Sequence, residues 1–423
     1  MNKRTWLLGL LCLPILLKAQ AEDINNYDYV YVDNIKSVQF HIDGLLLTYP
    51  IIDLTSSTPL VLSFDDLHAD VKDYSYQLIH CDRDWQPSQL NTMEYLDGFT
   101  EELIDNYRYS FKTVTPFTHY RLYLPNEDMR WTISGNYLLV VYEDEGDKIP
   151  VITRRLVVVD PKIQINPKLV RPSKVSKSRT HHELDFSINH QRLDIRSPQV
   201  EVRAAVLQNG RWDNAITDLK PFFTRINELV FDYQDKIVFP AGREFRYLDL
   251  RSLRFKSENI SAIESYRDGY EVILYKDEKR TNQSFFTRED INGRYVIESY
   301  DENDFDLASD YANVLFTLYS PAPLNADVYL MGAISDWQPK EEFKMVYNSA
   351  INGYVIKALL KQGYYEYAYG VVPDIEGAQA LDMEETEGNS YETQNNYTII
   401  IYYRPFGSRY DQVIGAVTFD SNP

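Results

Sequence analysis

The sequence predicts an all-β protein made of several β-sandwich domains. Short runs rich in Val, Ile, Leu and Tyr recur along the whole chain, each bounded by Asp, Gly, Asn or Pro, as is typical of strands in sandwiches. Long segments with the 3.6-residue periodicity of helices are scarce. The chain has 423 residues, more than the roughly 250–300 that one core accommodates, so two or three domains are expected. Its 34 tyrosines favour strands and aromatic contact surfaces.

The first twenty-one residues have the pattern of a secretory signal peptide. Lys3 and Arg4 form the basic start, Trp6 to Leu17 the apolar centre, and Ala19-Gln20-Ala21 the cleavage region. After cleavage no apolar run reaches the roughly 18 residues of a membrane-spanning helix, so no direct membrane insertion is expected. Cys81 would then be the single cysteine, and no internal disulfide could form.

Composition shifts divide the rest into three predicted domains: 22–160, 161–305 and 306–423. The first boundary follows the apolar run that ends at Val159, where Asp160-Pro161 interrupts the strand pattern. The second is placed at the acidic segment 301–306, which has the composition of a linker.

The charge excludes two classes of partner. The 63 acidic residues outnumber the 43 basic ones and give a net charge of −20. Nucleic acids and anionic lipid surfaces are bound through clustered Lys and Arg, so neither is an expected partner.

No catalytic or metal-binding motif stands out. The sequence lacks a nucleophile elbow, a phosphate-binding glycine loop, a zinc-protease helix motif and a C-x-x-C pair. Cys81 follows His80 in a predicted strand, which puts the two side chains on opposite faces. We therefore predict a non-enzymatic protein without cofactor or metal.

The first third of the chain carries a series of specific motifs in fixed order. They are Tyr76 to Ser88, Glu94 to Phe99, Tyr109 to Thr113, Thr118-His119-Tyr120, Leu124-Pro125-Asn126, Ser134 to Tyr137 and Arg154-Arg155. This series resembles the N-terminal domain of the type IX secretion plug family, periplasmic proteins of the Bacteroidetes.

The resemblance implies a role in protein export. A plug protein binds the periplasmic opening of the giant outer-membrane translocon barrel and closes it when no substrate is loaded. The expected location is the periplasm, at the periplasmic face of the outer membrane, and the expected partner is that barrel. A reversible interface of this kind suits a protein that is monomeric when free. A periplasmic chaperone or assembly factor is a related reading.

Asp82, Arg83 and Asp84 are the polar exception within these motifs. Two interpretations stay open: they form a local ion pair, or they contact the partner.

The last third carries a second resemblance. Ala326 to Trp337, then Gly353-Tyr354-Val355 and Gly363 to Tyr369, are similar to early-set immunoglobulin-like modules that include glycogen-binding domains. Trp337 and Tyr354 match the aromatic positions that stack on sugars, whereas Ala368 stands where such modules have a hydrogen-bonding Lys. The full fold prediction is therefore three consecutive immunoglobulin-like or early-set β-sandwiches. The alternative function is a periplasmic carbohydrate-binding or carbohydrate-processing protein that uses this module.

Overall fold

The computed structural model describes residues 24–144, 148–372 and 381–421. The fold is all-β, as predicted, with strands in seven sheets of the described residues. The expected signal peptide lies outside these residues. Among the helices in the described ranges, none is long and apolar enough to cross a membrane.

The first twelve strands form sandwich one. They are β1 Tyr29–Val30, β2 Ile35–Ile42, β3 Ile51–Asp53, β4 Leu60–Asp66, β5 Tyr74–Cys81, β6 Leu96–Gly98, β7 Glu102–Leu103, β8 Tyr107–Tyr109, β9 Thr118–Leu124, β10 Met129–Trp131, β11 Gly135–Glu143 and β12 Ile149–Val159.

The remaining strands belong to two further sandwiches. They are β13 Gln164–Val170, β14 His181–Asn189, β15 Val202–Gln208, β16 Ile216–Leu219, β17 Phe223–Arg225, β18 Glu228–Phe231, β19 Val238–Pro240, β20 Arg246–Asp249, β21 Ile260–Tyr266, β22 Gly269–Leu274, β23 Asp277–Glu278, β24 Tyr295–Ile297, β25 Tyr311–Tyr319, β26 Asp327–Met331, β27 Val346–Asn348, β28 Gly353–Lys361, β29 Gly363–Val372, β30 Asn396–Tyr403 and β31 Gln412–Asp420. The α-helices are single turns, α1 Thr92–Tyr95, α2 Pro198–Glu201 and α3 Phe305–Ala308.

Sandwich one pairs two sheets over one core. The sheet β1-β12-β11-β5-β7, with β3 also on β12, faces the sheet β2-β4-β9-β8. Large aromatic side chains fill the space between them, with Phe64 stacked on Tyr120 at 5.2 Å and Tyr74 edge-on to both rings. The alternation of buried residues along β9 fits a strand with one face on this core.

Sandwich two is built from two distant parts of the chain. One sheet has the order β13-β14-β18-β17, with β19 also on β14, and the other has the order β16-β15-β30-β31. Strand β15 pairs antiparallel with β30, from Val202 opposite Tyr403 to Gln208 opposite Tyr397. The core joins residues of β14, β15, β18 and β30 into one cluster.

Sandwich three lies between these parts as an insertion. Its sheets are β21-β22-β25-β28-β27 with β23, and β20-β29-β24 with β26, and they enclose a separate core. The insertion runs from about residue 243 to about residue 388. The expected domains 161–305 and 306–423 therefore need correction, because β30 and β31 complete sandwich two. Segment 301–306 lies within sandwich three and is not a linker between domains.

Sandwiches one and two share an apolar interface. The outer face of β5, β11 and β12 packs on β15, β30 and β31, and Cys81, Trp85, Val140, Ile400 and Tyr402 are among the buried residues of this cluster. In β11 the side chains of Tyr137, Leu139 and Val141 point to the sandwich core while their neighbours face this interface. Both faces are apolar because both are covered.

Sandwiches one and three meet through polar groups. Asp65 on β4 and His119 on β9 face Tyr311 on β25 and Lys361 on β28. Beside them, segment 302–306 lies against sandwich one and forms three ion pairs: Lys112 with Glu302 at 2.9 Å, Arg108 with Asp304 at 3.3 Å, and Arg121 with Asp306.

Candidate functional site

The Asp82-Arg83-Asp84 motif occupies a tight turn directly after β5. The turn is closed by the Trp85 N–H, which donates to the Asp82 carbonyl at 2.9 Å, and by the Asp82 N–H, which donates to the Gln86 carbonyl at 2.8 Å. Trp85 adopts a φ of 64°, an uncommon conformation for a large side chain. This turn directs the indole into the interface with sandwich two.

Asp82 and Arg83 form ion pairs across that interface. The backbone N–H of Arg83 donates to Asp411 Oδ2 at 3.0 Å, and its Nη1 lies 3.3 Å from Asp411 Oδ1. Arg404 Nη1 lies 3.3 Å from Asp82 Oδ2. Asp411 and Arg404 lie on the loop between β30 and β31, so the motif ties sandwich one to sandwich two. Asp84 is exposed, and its carboxylate accepts only the N–H of Gln86 among the described residues.

Trp85 packs against a second aromatic ring and a cation. Its ring meets Trp212 edge-on at 4.9 Å, and the guanidinium of Arg155 lies 4.4 Å from its centre. Burial lowers the pKa of Arg155 to about 10, so the group stays cationic at neutral pH. Burial also raises the pKa of the neighbouring Cys81 thiol to about 12. This thiol is protonated at neutral pH and is a poor nucleophile.

The turn belongs to a larger surface that we call the loop end. It comprises residues 82–95 of sandwich one and residues 190–203, 218–228 and 404–411 of sandwich two. Six apolar side chains on it are each more than half exposed: Met93, Val200, Phe222, Phe223, Ile226 and Phe406.

Hydrogen bonds and ion pairs connect the segments of the loop end. The Arg404 N–H donates to the Glu201 carbonyl at 2.8 Å, Arg409 pairs with Glu94, and Gln199 Nε2 donates to the Pro221 carbonyl. The loops that carry the exposed apolar side chains are therefore bonded to one another.

The second pair of predicted site residues is not brought together on one exposed face. Tyr354 is 5% exposed, its hydroxyl accepts the Leu324 N–H at 2.6 Å, and its ring packs on Tyr347 at 5.2 Å. Trp337 packs against a different cluster, edge-on to Phe245 at 5.7 Å, with the Arg211 guanidinium 4.7 Å from its ring centre. A buried tyrosine offers no face for a sugar to stack on.

Trp337 instead lines a cavity of about 220 Å³ where the three sandwiches meet. Asp28 and Arg155 of sandwich one, Arg211 and Asp213 of sandwich two, and Trp337 of sandwich three contribute to its wall. Arg211 is paired with Asp213 at 2.6 Å, and Asp336 nearby is paired with Arg154 at 3.1 Å and Lys340 at 2.6 Å. Most of the charge in this wall is thus satisfied within the protein.

No group of three or more His, Cys, Asp or Glu side chains is arranged to hold a metal ion within residues 24–144, 148–372 and 381–421.

Comparisons with known proteins show the family of this chain. The family model described as the type 9 secretion system plug protein first domain matches residues 35–160. A solved structure, described as that of a hypothetical protein from Parabacteroides merdae ATCC 43184, is 34% identical with a TM-score of 0.90. The match covers 94% of this chain and 100% of that one. The chain belongs to the type IX secretion plug family. Among curated proteins, no match was found.

The plug-family domain coincides with sandwich one. Its first matched residue, Ile35, begins β2, and its last, Asp160, directly follows β12. The Asp82-Arg83-Asp84 turn, Trp85 and the α1 part of the loop end all lie within it. The loop end thus combines one edge of the plug-family domain with loops of sandwich two. The sequence motifs identified its first segment, whereas the others were missed because only strand pairing brings them there.

Proposed function

We propose that this plug-family protein is non-enzymatic and closes the periplasmic opening of the outer-membrane type IX translocon barrel when no substrate is loaded. Membership of the family supports a role in type IX secretion. The predicted signal peptide supports a periplasmic location, and the proposed barrel partner implies a position at the periplasmic face of the outer membrane.

The observation that carries the proposal is the packing of the three sandwiches into one body. Sandwiches one and two share a continuous apolar cluster, and sandwiches one and three share the buried Asp65–Lys361 pair. A closure has to withstand displacement without deforming, and buried interfaces of both kinds resist relative motion of the domains. A compact chain of this length has a radius of gyration of about 22 Å, large enough to obstruct a wide pore.

The alternative, carbohydrate binding through the third module, is favoured by no specific observation. Tyr354 is buried and the ring of Trp337 is approached by Arg211.

Ion conductance through the isolated barrel tests the proposal. Translocon purified from cells that lack the plug protein is placed in a planar lipid bilayer, and the purified mature protein is added to the periplasmic side. We expect the conductance to fall in a dose-dependent manner, while the same protein added to the opposite side leaves it unchanged. Conductance that is unaffected at saturating protein would contradict the proposal.

A further inference from the structure

The loop end exposes apolar side chains that no other described part of the chain covers. Phe406 is fully exposed, and Met93 and Ile226 are both more than nine-tenths exposed. Single exposed apolar residues are ordinary, whereas several on neighbouring loops mark an interaction surface.

Strand register places these loops at the same end of sandwich two. Val202 at the start of β15 lies opposite Tyr403 at the end of β30, so α2 is next to the β30–β31 loop. Leu219 at the end of β16 lies opposite Ala204, which brings Phe222 to the same end. The tip of the β17–β18 hairpin joins them, because the His190 N–H donates to the Asn227 carbonyl at 2.9 Å. Sandwich three is inserted at the opposite end, next to Gln208 and Tyr397.

The apolar tips are held in defined turns. Phe406 is presented by a turn that the Ser408 N–H closes onto the Pro405 carbonyl at 2.9 Å, and Gly407 follows it with a φ of 86°. Ile226 precedes Asn227, which has a φ of 58°, at the tip of the hairpin. A surface that is ordered before binding loses less conformational entropy when it binds.

The charges of the loop end balance. Its four segments contain eight basic and eight acidic residues, in a chain whose net charge is −20. Six of the arginines are paired with carboxylates: Arg83, Arg196, Arg203, Arg225, Arg404 and Arg409. Because these charges are satisfied within the protein, the surface is complementary to an uncharged partner and not to an anionic or cationic one.

We propose that the loop end is the docking surface of the protein and that its occupant is an uncharged, apolar protein surface at the periplasmic entrance of the translocon barrel. This inference rests on the proposed function. Asp82 and Arg83 act within it as supports that hold the two sandwiches in register, and Asp84 lies at its margin.

Binding to the purified translocon tests the docking surface. The loop-end variant carries Met93→Ser, Ile226→Ser and Phe406→Ser. The matched control carries Phe255→Ser, Phe286→Ser and Val346→Ser, three comparably exposed apolar residues of sandwich three. Affinity is measured by surface plasmon resonance at low and high NaCl, with thermal unfolding of each variant as a check on folding.

We expect the loop-end variant to bind at least tenfold more weakly and the control within twofold of the wild type. Wild-type affinity should change less than threefold with salt, because no net charge is neutralised on binding. If the loop-end variant bound the translocon as tightly as the wild type, or if wild-type affinity fell steeply with salt, the docking surface would be overturned while the plug function stayed intact. Absence of wild-type binding would instead defeat the plug function and, with it, this inference.

Other occupants are distinguished by two further measurements. The wild type is sedimented with phosphatidylethanolamine–phosphatidylglycerol vesicles, and its self-association is followed by analytical ultracentrifugation. Neither association is expected. The proposal would be overturned if the wild type bound vesicles or dimerised and the loop-end variant lost that association but still bound the translocon. The occupant of the loop end would then be a membrane or a second copy of the chain.

Discussion

Among the described residues, the most deeply buried ion pair joins sandwiches one and three. Lys361 Nζ lies 2.6 Å from Asp65 Oδ2, and each side chain is 1% exposed. Asp65 also contacts His119 Nδ1 at 2.6 Å and accepts the Tyr311 hydroxyl at 2.6 Å, while the ring of Phe117 lies 4.0 Å from the ammonium. Burial alone would raise the pKa of Asp65, but Lys361 and His119 hold it below its usual value.

Replacing Lys361 leaves this carboxylate buried without its cation. We expect Lys361→Met to lower the free energy of unfolding by roughly 3–5 kcal/mol, as breaking a buried pair from one side does. Lys357→Met is the control, because Lys357 lies on the same strand and pairs with Glu271 at a partly exposed position, where a pair contributes at most about 1 kcal/mol. Urea unfolding of both variants measures the difference, and equal losses would contradict the role of the buried pair.

The carboxyl groups of Glu244 and Glu366 both interact with that of Asp290 in sandwich three. Burial, with the negative charge of Asp290 in second place, raises the pKa values of Glu244 and Glu366 to about 8. Burial likewise raises the pKa of Asp290. Glu366 Oε2 accepts the N–H groups of Ile291 at 2.8 Å and Gly293 at 3.1 Å, so the side chain cannot simply turn towards solvent.

This arrangement predicts a loss of stability as pH rises. Between about pH 5 and 8 the folded protein retains a proton on Glu366 that the unfolded chain has released, so the contribution of this group falls as pH increases. We expect Glu366→Gln to reduce the fall, because the amide cannot ionise. The difference in unfolding free energy between wild type and variant, measured at pH 5 and pH 8, reports Glu366 together with its interaction with Asp290. A difference that is independent of pH would show that Glu366 titrates normally.

At the scale of single residues, the sequence identified which positions are unusual but not which contacts their side chains make. The Asp82-Arg83-Asp84 motif is expected to form a local ion pair or to contact the partner, whereas Asp82 and Arg83 pair with Arg404 and Asp411, more than 320 residues away. No spacing rule connects residues so far apart. For Trp337 and Tyr354 the resemblance gave positions, whereas burial depends on neighbours such as Arg211 and Leu324 that belong to other segments.

At the scale of single elements, strands without alternation carry the clearest information. The run Tyr137 to Tyr142 in β11 and the run Tyr397 to Tyr403 in β30 are apolar at nearly every position. A strand with one solvated face alternates apolar and polar residues. Unbroken apolar runs therefore indicate strands covered on both sides. Each of these two strands has one face on the core of its own sandwich and the other on the interface between sandwiches one and two.

The two connections to sandwich three depend on glycine. Gly242 and Gly388 have φ values of 67° and 79°, and a Cβ at Gly388 would lie 3.0 Å from Thr281 Cα. The connections are also bonded to each other, since the Ser390 N–H donates to the Gly242 carbonyl at 2.9 Å. The backbone at these positions is therefore tightly specified.

Substituting Gly388 should destabilise more than an unhindered glycine in a similar conformation. A left-handed φ costs a side chain roughly 1–2 kcal/mol, and Gly388→Ala adds the contact with Thr281. Gly44→Ala is the control, because Gly44 has a φ of 75° and nothing within 4 Å of the added atom. Thermal unfolding of both variants tests this; a larger loss for Gly44→Ala would be incompatible with it.

At the scale of the whole molecule, the all-β class and the plug-family domain followed from the sequence, but the nesting of the domains did not. Composition marks where strands begin and end, and the acidic segment 301–306 has the composition of a linker. Which strands pair is decided by complementary faces in space. Gln208 and Tyr397 are neighbours across 189 positions, a separation at which local patterns carry no information.

The nesting predicts which fragments fold. A fragment ending at residue 305 lacks β30 and β31, so one sheet of sandwich two is left with β15 and β16 and its core is open. Replacing residues 243–388 by a short glycine–serine linker retains all strands of sandwiches one and two, and the neighbouring ends at Gly242 and Ser390 are already hydrogen-bonded. We expect the excised protein to be monomeric and to unfold cooperatively, and the truncated one to aggregate. Circular dichroism and size-exclusion chromatography distinguish them, and a well-folded truncated fragment would refute the shared core.

The insertion also sets an order of assembly during synthesis. β15 leaves the ribosome long before its partner β30, so one sheet of sandwich two stays incomplete until the end of the chain emerges. Sandwich three can fold meanwhile, and its folded state holds residues 242 and 390 close together. The chain that must be closed to pair β15 with β30 is then effectively short, which reduces the entropic penalty of a contact between distant residues. Folding of the inserted domain would therefore bring together the two parts of the chain that form sandwich two.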